Sequence, residues 1–205
     1  MSVKAVLEKL VPQKIIGPSP AFTVFDAIKM LETIAESGSI GRGSLSKKLE
    51  LGEGTTRTLI SRLKKARLMT ISRRGCVLTE NGKKFWAQIR SLIPVTLRIE
   101  GNELTFAAHN MATLVKNRAS KVDKGLEQRD AAVRAGASGA TTLVFKDGRL
   151  VLPTLSDDVS KDYPKVFSQI MRLLKPAEND VVIISCGTSL KAAEYGALAA
   201  SCILL

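Results

Sequence analysis

The chain has 205 residues, 45% of them hydrophobic, which is enough for two small domains with buried cores and excludes a disordered chain. Its net charge is +12, yet aromatic residues make up only 4%, so the cores must be built from Leu, Ile, Val and Ala, and a base-stacking platform for single strands is poorly supplied. Cys76, Cys186 and Cys202 show no CxxC or Cys/His spacing and His109 is the only histidine; a zinc finger and a disulfide framework are excluded, and a reducing, cytoplasmic setting is expected with no metal or other cofactor.

Residues 1–14 alternate charged and apolar side chains, so neither a signal peptide nor a membrane span is expected there, and no later stretch is long and apolar enough to cross a bilayer. Val3, Val6, Leu7 and Leu10 fall at i, i+3, i+4 and i+7, which predicts a short helix whose apolar stripe docks on a partner surface. Pro12, Gly17, Pro18 and Pro20 then make residues 11–21 a connector. Phe25, Ile28, Leu31 and Ile34 form the stripe of the next helix, which Ser37-Gly38 ends, with Gly38 suited to a left-handed C-cap.

Residues 39–43 can supply a short edge strand, and Ser44 is expected to cap a helix over residues 45–49. Leu51-Gly52-Glu53-Gly54 is expected to reverse the chain through glycines at positive φ. A third helix is predicted from Thr55 or Thr56 to about Arg67. Its Thr56, Leu59, Ile60, Leu63 and Ala66 share one face, and rotation of 100° per residue leaves Arg57, Thr58, Ser61, Arg62 and Lys65 on the other. Two short strands, at residues 69–72 and 76–78, flank Arg73-Arg74-Gly75 as a basic hairpin tip. Thr79 then caps a helix that runs to Ile93 and stops at Pro94.

This stretch holds most of the charge. Residues 39–90 contain 13 Lys and Arg against 3 acids, a net of +10, whereas residues 94–205 carry 14 basic and 12 acidic residues. An excess confined to one unit is the footprint of a domain that displaces counterions from phosphates.

The second half predicts strands at residues 104–108 and 112–115, with His109-Asn110 between them, and a helix at 126–135 stopped by Gly136. Lys146-Asp147-Gly148 between apolar runs at 141–145 and 149–152 is a strong hairpin signal. A helix from Pro164 to about Leu174, a buried strand at 181–185 and a last helix from Ser189 or Leu190 complete it. Helices that can cover one sheet face predict a two-layer α+β domain. The fold class expected for the whole chain is α+β, with residues 1–93 as a winged helix-turn-helix and residues 94–205 as the second domain.

Gly41-Arg42-Gly43-Ser44-Leu45-Ser46-Lys47-Lys48-Leu49, then Thr55-Thr56-Arg57-Thr58-Leu59-Ile60-Ser61-Arg62-Leu63, then Val77-Leu78-Thr79-Glu80-Asn81-Gly82 together resemble the winged-helix domains of prokaryotic transcription regulators over residues 22–93. The resemblance implies a third helix lying in the major groove of double-stranded DNA, with the wing against the neighbouring backbone. The residue types agree with it. Arg57, Thr58, Ser61 and Arg62 have groups that read base edges, whereas Lys47, Lys48, Lys64, Lys65, Arg73 and Arg74 are suited to phosphates. Taken whole, and on Gly125-Leu126-Glu127-Gln128-Arg129-Asp130 and Gly136-Ala137-Ser138-Gly139-Ala140-Thr141-Thr142, the chain resembles an archaeal family that joins a winged helix to an uncharacterised C-terminal α+β domain. That resemblance implies a regulator and supplies no ligand.

In the second half Ser185-Cys186-Gly187-Thr188-Ser189 lies between a buried strand and a helix start. Unpaired N–H groups there could hold a small anionic effector, with Gly187, Thr188, Ser189 and Arg129 as its candidate ligands; a plain Ser or Thr N-cap explains the same residues. Arg118, Lys121 and Lys124 could line an effector pocket beside residues 125–130. The final Cys202-Ile203-Leu204-Leu205 fits a prenylation pattern, but no polybasic tract precedes it and a buried helix end explains it as well. With one histidine and no paired acids at telling spacing, the expectation is a non-enzymatic, sequence-specific DNA-binding regulator that forms a homodimer. The competing expectation is an enzyme or metabolite-binding protein acting on an anion at residues 186–189, with the winged helix as a regulatory or protein-docking module.

Overall fold

The computed structural model describes residues 2–11 and 21–205, so most of the connector expected at residues 11–21 lies outside the described residues. The chain divides into two compact units, residues 1–89 and 90–205.

The first unit opens with helix α1 (Val3–Leu10), capped by Ser2. Its Val3, Leu7 and Leu10 are buried, and they pack within this unit against α2 (Val24–Ser37) rather than on a partner surface. A capping box starts α2: Asp26 N–H donates to Thr23 Oγ1 while the Asp26 carboxylate accepts from Thr23 N–H at 2.6 Å. Gly38 ends it at φ +65°. Helix α3 (Arg42–Leu49) begins three residues earlier than expected, on Gly41, so Ser44 lies inside the helix and does not cap it. The reversal into α4 (Glu53–Lys65) also differs. Glu50, not a glycine, takes the left-handed conformation at φ +53°, and Gly52 precedes α4 with an ordinary φ of −58°. Strands β1 (Met69–Ser72) and β2 (Gly75–Leu78) form an antiparallel hairpin, and α5 (Glu80–Leu92) follows. Met30, Leu31, Ile34, Leu45, Leu59, Leu63 and Met69 are fully buried and form the core of the unit.

The second unit is built on an antiparallel sheet in the order β3-β4-β7-β5-β6, from β3 (Val95–Ile99), β4 (His109–Val115), β5 (Gly139–Lys146), β6 (Arg149–Val151) and β7 (Val181–Gly187). Strand β3 had no sequence-based counterpart, and residues 104–108, expected as a strand, form turns and bends instead; His109 and Asn110 open β4 rather than lying between strands. The β5–β6 turn is of the kind that Asp-Gly favours, with Asp147 at φ +51° and Gly148 at φ +70°.

The helices are α6 (Leu126–Arg134), α7 (Val159–Asp162), α8 (Pro164–Leu173) and α9 (Leu190–Ile203). Strand β7 is buried along its whole length, and its alternation shows why. Val182 and Ile184 join Val159, Val166 and Ile170 in one core; Val181 and Ile183 join Ala132, Ala200 and Leu204 in another. Helices therefore cover both faces, α7 and α8 on one and α6 and α9 on the other, a layer more than the strand pattern suggests. Small residues set the depth of α9: a Cβ on Gly196 would lie 2.4 Å from Ala137 Cβ and 2.5 Å from Ser185 Oγ.

Among the described residues no helix is long and apolar enough to cross a membrane.

Candidate nucleic-acid interface

Helix α4 is amphipathic in the sense that a groove-reading helix requires. Thr56, Leu59, Ile60 and Leu63 are buried against the unit, which leaves Arg57, Thr58, Ser61, Lys64 and Lys65 exposed on the opposite side. Thr58 Oγ1 donates to Gly54 O at 3.0 Å, so this hydroxyl offers its lone pairs outward rather than its proton. Glu53 opens the helix and Lys64 and Lys65 close it, each with the sign that suits its end of the helix dipole.

Arg62 is placed differently from the other residues expected to read bases. It is half-buried; its Nη1 donates to Leu10 O at 2.8 Å and its guanidinium lies 5.0 Å from the centre of the Phe22 ring. The wheel angle put Arg62 with Arg57 and Ser61, and its side chain also holds the end of α1. The sequence could not show this, because the partners lie 52 and 40 residues away.

Lys47 and Lys48 are exposed in the last turn of α3, whose inner face is fixed by buried Leu45 and Leu49. Arg73 and Arg74 are exposed at the tip of the β1–β2 hairpin. Hydrogen bonds fix that tip: Arg74 N–H donates to Ser72 Oγ at 3.1 Å, and Ser39 Oγ donates to Arg74 O at 2.7 Å. Ile40 adds a bridge to the sheet by exchanging backbone bonds with Cys76 at 3.1 and 2.8 Å. Gly75 permits the approach, since a Cβ there would lie 2.5 Å from Ile40 O.

The base of the wing brings in a residue that the sequence reading did not single out. Burial pushes the Cys76 thiol above its ordinary pKa, against the positive charges of Arg42 and Lys64, which pull it down. Arg42 on α3 and Lys64 on α4 thus stand near one point of β2. Arg42 was legible only as part of the charge excess, because its segment reads as a strand rather than a helix start.

The second half of the winged motif, Leu78-Thr79-x-x-Gly82, is structural. Thr79 Oγ1 accepts from Gly82 N–H at 3.0 Å and donates to Arg67 O at 2.6 Å, which ties the start of α5 to the end of α4.

Residues 26–93 match the family model of the CggR N-terminal DNA binding domain. The first unit is a winged-helix DNA-binding domain. Residues 106–204 match the model of a domain of unknown function, DUF4443. A solved structure, the hypothetical protein PH0730 from Pyrococcus horikoshii OT3, is 28% identical in sequence, with a TM-score of 0.70 over 89% of this chain and 92% of that one. No curated protein matches the chain. The winged-helix protein therefore joins a DNA-binding unit to an α+β unit that matches a domain of unknown function, and its likeness to the archaeal protein runs through 89% of this chain and 92% of that one.

In the DUF4443 unit three of the four residues expected to bind an anion make structural contacts. Ser189 caps α9, accepting from Ala192 N–H at 3.1 Å. Gly187 is buried where a Cβ would lie 2.9 Å from Ala193 N, which explains the glycine by packing, and Thr188 is exposed. Arg129 donates to its neighbour Asp130 at 3.0 Å. Cys186 is 3% exposed and, by the alternation of β7, lies on the face away from α9. Arg118 and Lys121 donate to the backbone oxygens of Leu204 and Leu205, at 2.8 to 3.0 Å. Among the described residues no group of three or more His, Cys, Asp or Glu side chains could hold a metal ion.

Proposed function

We propose that the protein is a sequence-specific regulator of transcription that binds double-stranded DNA as a homodimer. The observation that carries this reading is the exposed face of α4, where Arg57, Thr58 and Ser61 lie away from buried Leu59, Ile60 and Leu63, together with exposed Lys47 and Lys48 on α3 and exposed Arg73 and Arg74 at the wing tip. Arg57 and Ser61 carry donors for base edges, and the flanking cations suit phosphates on either side of a groove. Lys64, Lys65 and Arg42 extend the phosphate-facing set. Of the 13 cations in residues 39–90, all but Arg62 are exposed, so the charge is available to a polyanion.

A single small reader gains specificity by pairing, with two recognition helices engaging half-sites about 10 base pairs apart. The α6 helix supports a dimer through the DUF4443 unit: Leu126 and Val133, each 49% exposed, are seven residues apart on its outer face. A small-molecule effector acting through this unit fits a regulator, and so does a purely dimerising role.

The test is a duplex-binding titration across salt, combined with selection from randomised duplexes. The reading expects affinity to fall steeply with salt, a selected sequence with two related half-sites, and a dimer at working concentration. A salt-independent Kd, or a monomer that selects no sequence, overturns it.

A further inference from the structure

The N-terminal unit holds a groove of about 530 Å³ between α1 and the C-terminal half of α4. That volume falls in the ordinary range for small-molecule sites, about 300–1,000 Å³. Among the described residues its apolar lining comes from Val6, Leu10, Ala66 and Leu68, and its polar lining from the cations Lys9, Arg62 and Lys65. Among the described residues no carboxylate lines it. An apolar trough with charges of a single sign selects a ligand with an apolar body and an anionic end.

We propose that this groove binds a small amphipathic carboxylate, its tail along Val6, Leu10, Ala66 and Leu68 and its head among Lys9, Arg62 and Lys65. Arg62 gives the site its chemistry. Its Nη1 is bonded to a neutral acceptor, Leu10 O, at 2.8 Å, and the guanidinium has five N–H donors to distribute. A carboxylate brings the opposite charge and can accept two parallel guanidinium bonds, neither of which the Leu10 carbonyl offers. The head group thus competes with Leu10 O for Arg62 and loosens the contact that ties the end of α1 to α4.

Lys65 links the groove to DNA. It lines the groove and also belongs to the exposed basic face of α4, so a bound anion neutralises a charge that faces phosphate. Ligand and duplex then oppose each other, and by linkage each weakens the other's binding by the same factor. This coupling rests on the DNA-binding reading above, but binding of the carboxylate does not.

The full chain titrated calorimetrically with octanoate and with octanol tests the site without DNA. Saturable octanoate binding, with octanol about tenfold weaker for want of the charged bond, is expected. Ala66→Trp, which fills the trough from an exposed position, should abolish octanoate binding; Lys65→Glu, a surface change that leaves the core intact, should weaken it. Equal affinity for octanol and octanoate, or octanoate binding untouched by both variants, overturns the site. Duplex titration then tests the coupling: octanoate should raise the Kd of the unaltered chain and leave that of Ala66→Trp unmoved. An unmoved Kd in the octanoate-saturated chain overturns the coupling, whereas loss of duplex binding without any octanoate overturns the DNA reading instead.

Discussion

Gly82 stands so close to Leu68 that a Cβ on the glycine would lie 1.8 Å from the Leu68 carbonyl oxygen. No side chain fits at that separation, and the obstacle is backbone that also accepts from Thr79 N–H at 3.1 Å, so it cannot shift alone. Gly82→Ala should therefore force α5 away from the start of β1 and destabilise the winged helix by about 3 kcal/mol or more, at the upper end of overpacking costs. Thermal unfolding followed by circular dichroism would measure this; a midpoint within a degree or two of the original would show that the contact is absent in solution.

Arg57 and Arg62 lie on the same helix yet should behave as different kinds of residue. Arg57→Ala removes an exposed group proposed to meet base edges; it should cost about 1–3 kcal/mol in binding to the selected duplex and relax sequence preference at one position. Arg62→Ala removes the bond to Leu10 O and the stacking on Phe22. It should lower the stability of the N-terminal unit and leave the preferred sequence unchanged. Selection from randomised duplexes with each variant separates the two. The assignment fails if Arg62→Ala alters the selected sequence as much as Arg57→Ala does.

What could be read from the chain follows the range of the interactions. The stripe of α4, the Asp147-Gly148 turn and the Ser189 cap depend on residues a few positions apart, and their patterns are complete within a short window. Glu50 in the left-handed region could not be anticipated, because two nearby glycines offered the usual solution and the helix used neither there. Strand β3 was hidden by Pro94 at its edge and by partial burial: only Ile99 of its five residues is fully buried, so the alternation of a half-buried strand is faint. The fate of Arg62 and the packing of Gly187 depend on partners in other elements, which periodicity cannot report. In the candidate interface, charge and exposure were legible, and the contacts that half-bury Arg62 were not.

Asp180 is fully buried and holds two turns together. Its carboxylate accepts from Asn117 N–H at 3.1 Å and from Ala177 N–H at 2.8 Å, and it forms an ion pair with Lys116. Asp180→Ala leaves two backbone N–H groups without an acceptor and should destabilise the DUF4443 unit by about 2–4 kcal/mol, while Lys116, 32% exposed, turns to water. Urea unfolding is the measurement. A smaller loss in Asp180→Asn, which keeps one acceptor oxygen, would assign the remainder to the charge.

Cys76 gives the winged helix an alkaline weakness. Its thiol is held above the ordinary value by burial, which outweighs the pull of Arg42 and Lys64. Below the unfolded pKa, about 8.5, both states are protonated and no penalty exists. As pH rises through that value the unfolded chain loses its proton first, so stability falls until the folded thiol also ionises. The difference in stability between the unaltered chain and Cys76→Ala should therefore be constant from neutral pH to about 8 and shrink above it. A constant difference through pH 10 would contradict the burial.

The outer face of α6 offers the most direct test of self-association. Leu126 and Val133 lie along the middle of the exposed surface of the helix, while Gln128, Ala131 and Ala132 face inward. Arg129 and Asp130 flank that apolar line on opposite sides, paired with each other at 3.0 Å. Two copies of the helix packed in parallel about a twofold axis would set Arg129 of one against Asp130 of the other, so the patch is complementary to itself in charge as well as apolar along its centre. Leu126→Glu with Val133→Glu alters two side chains on the exposed face of the helix and leaves its buried Gln128, Ala131 and Ala132 in place. It should shift the chain from dimer to monomer in analytical ultracentrifugation, leave the unfolding transition nearly unaltered, and weaken binding to a two-half-site duplex far more than to a single half-site. A dimer that survives both substitutions would place the interface elsewhere on the protein.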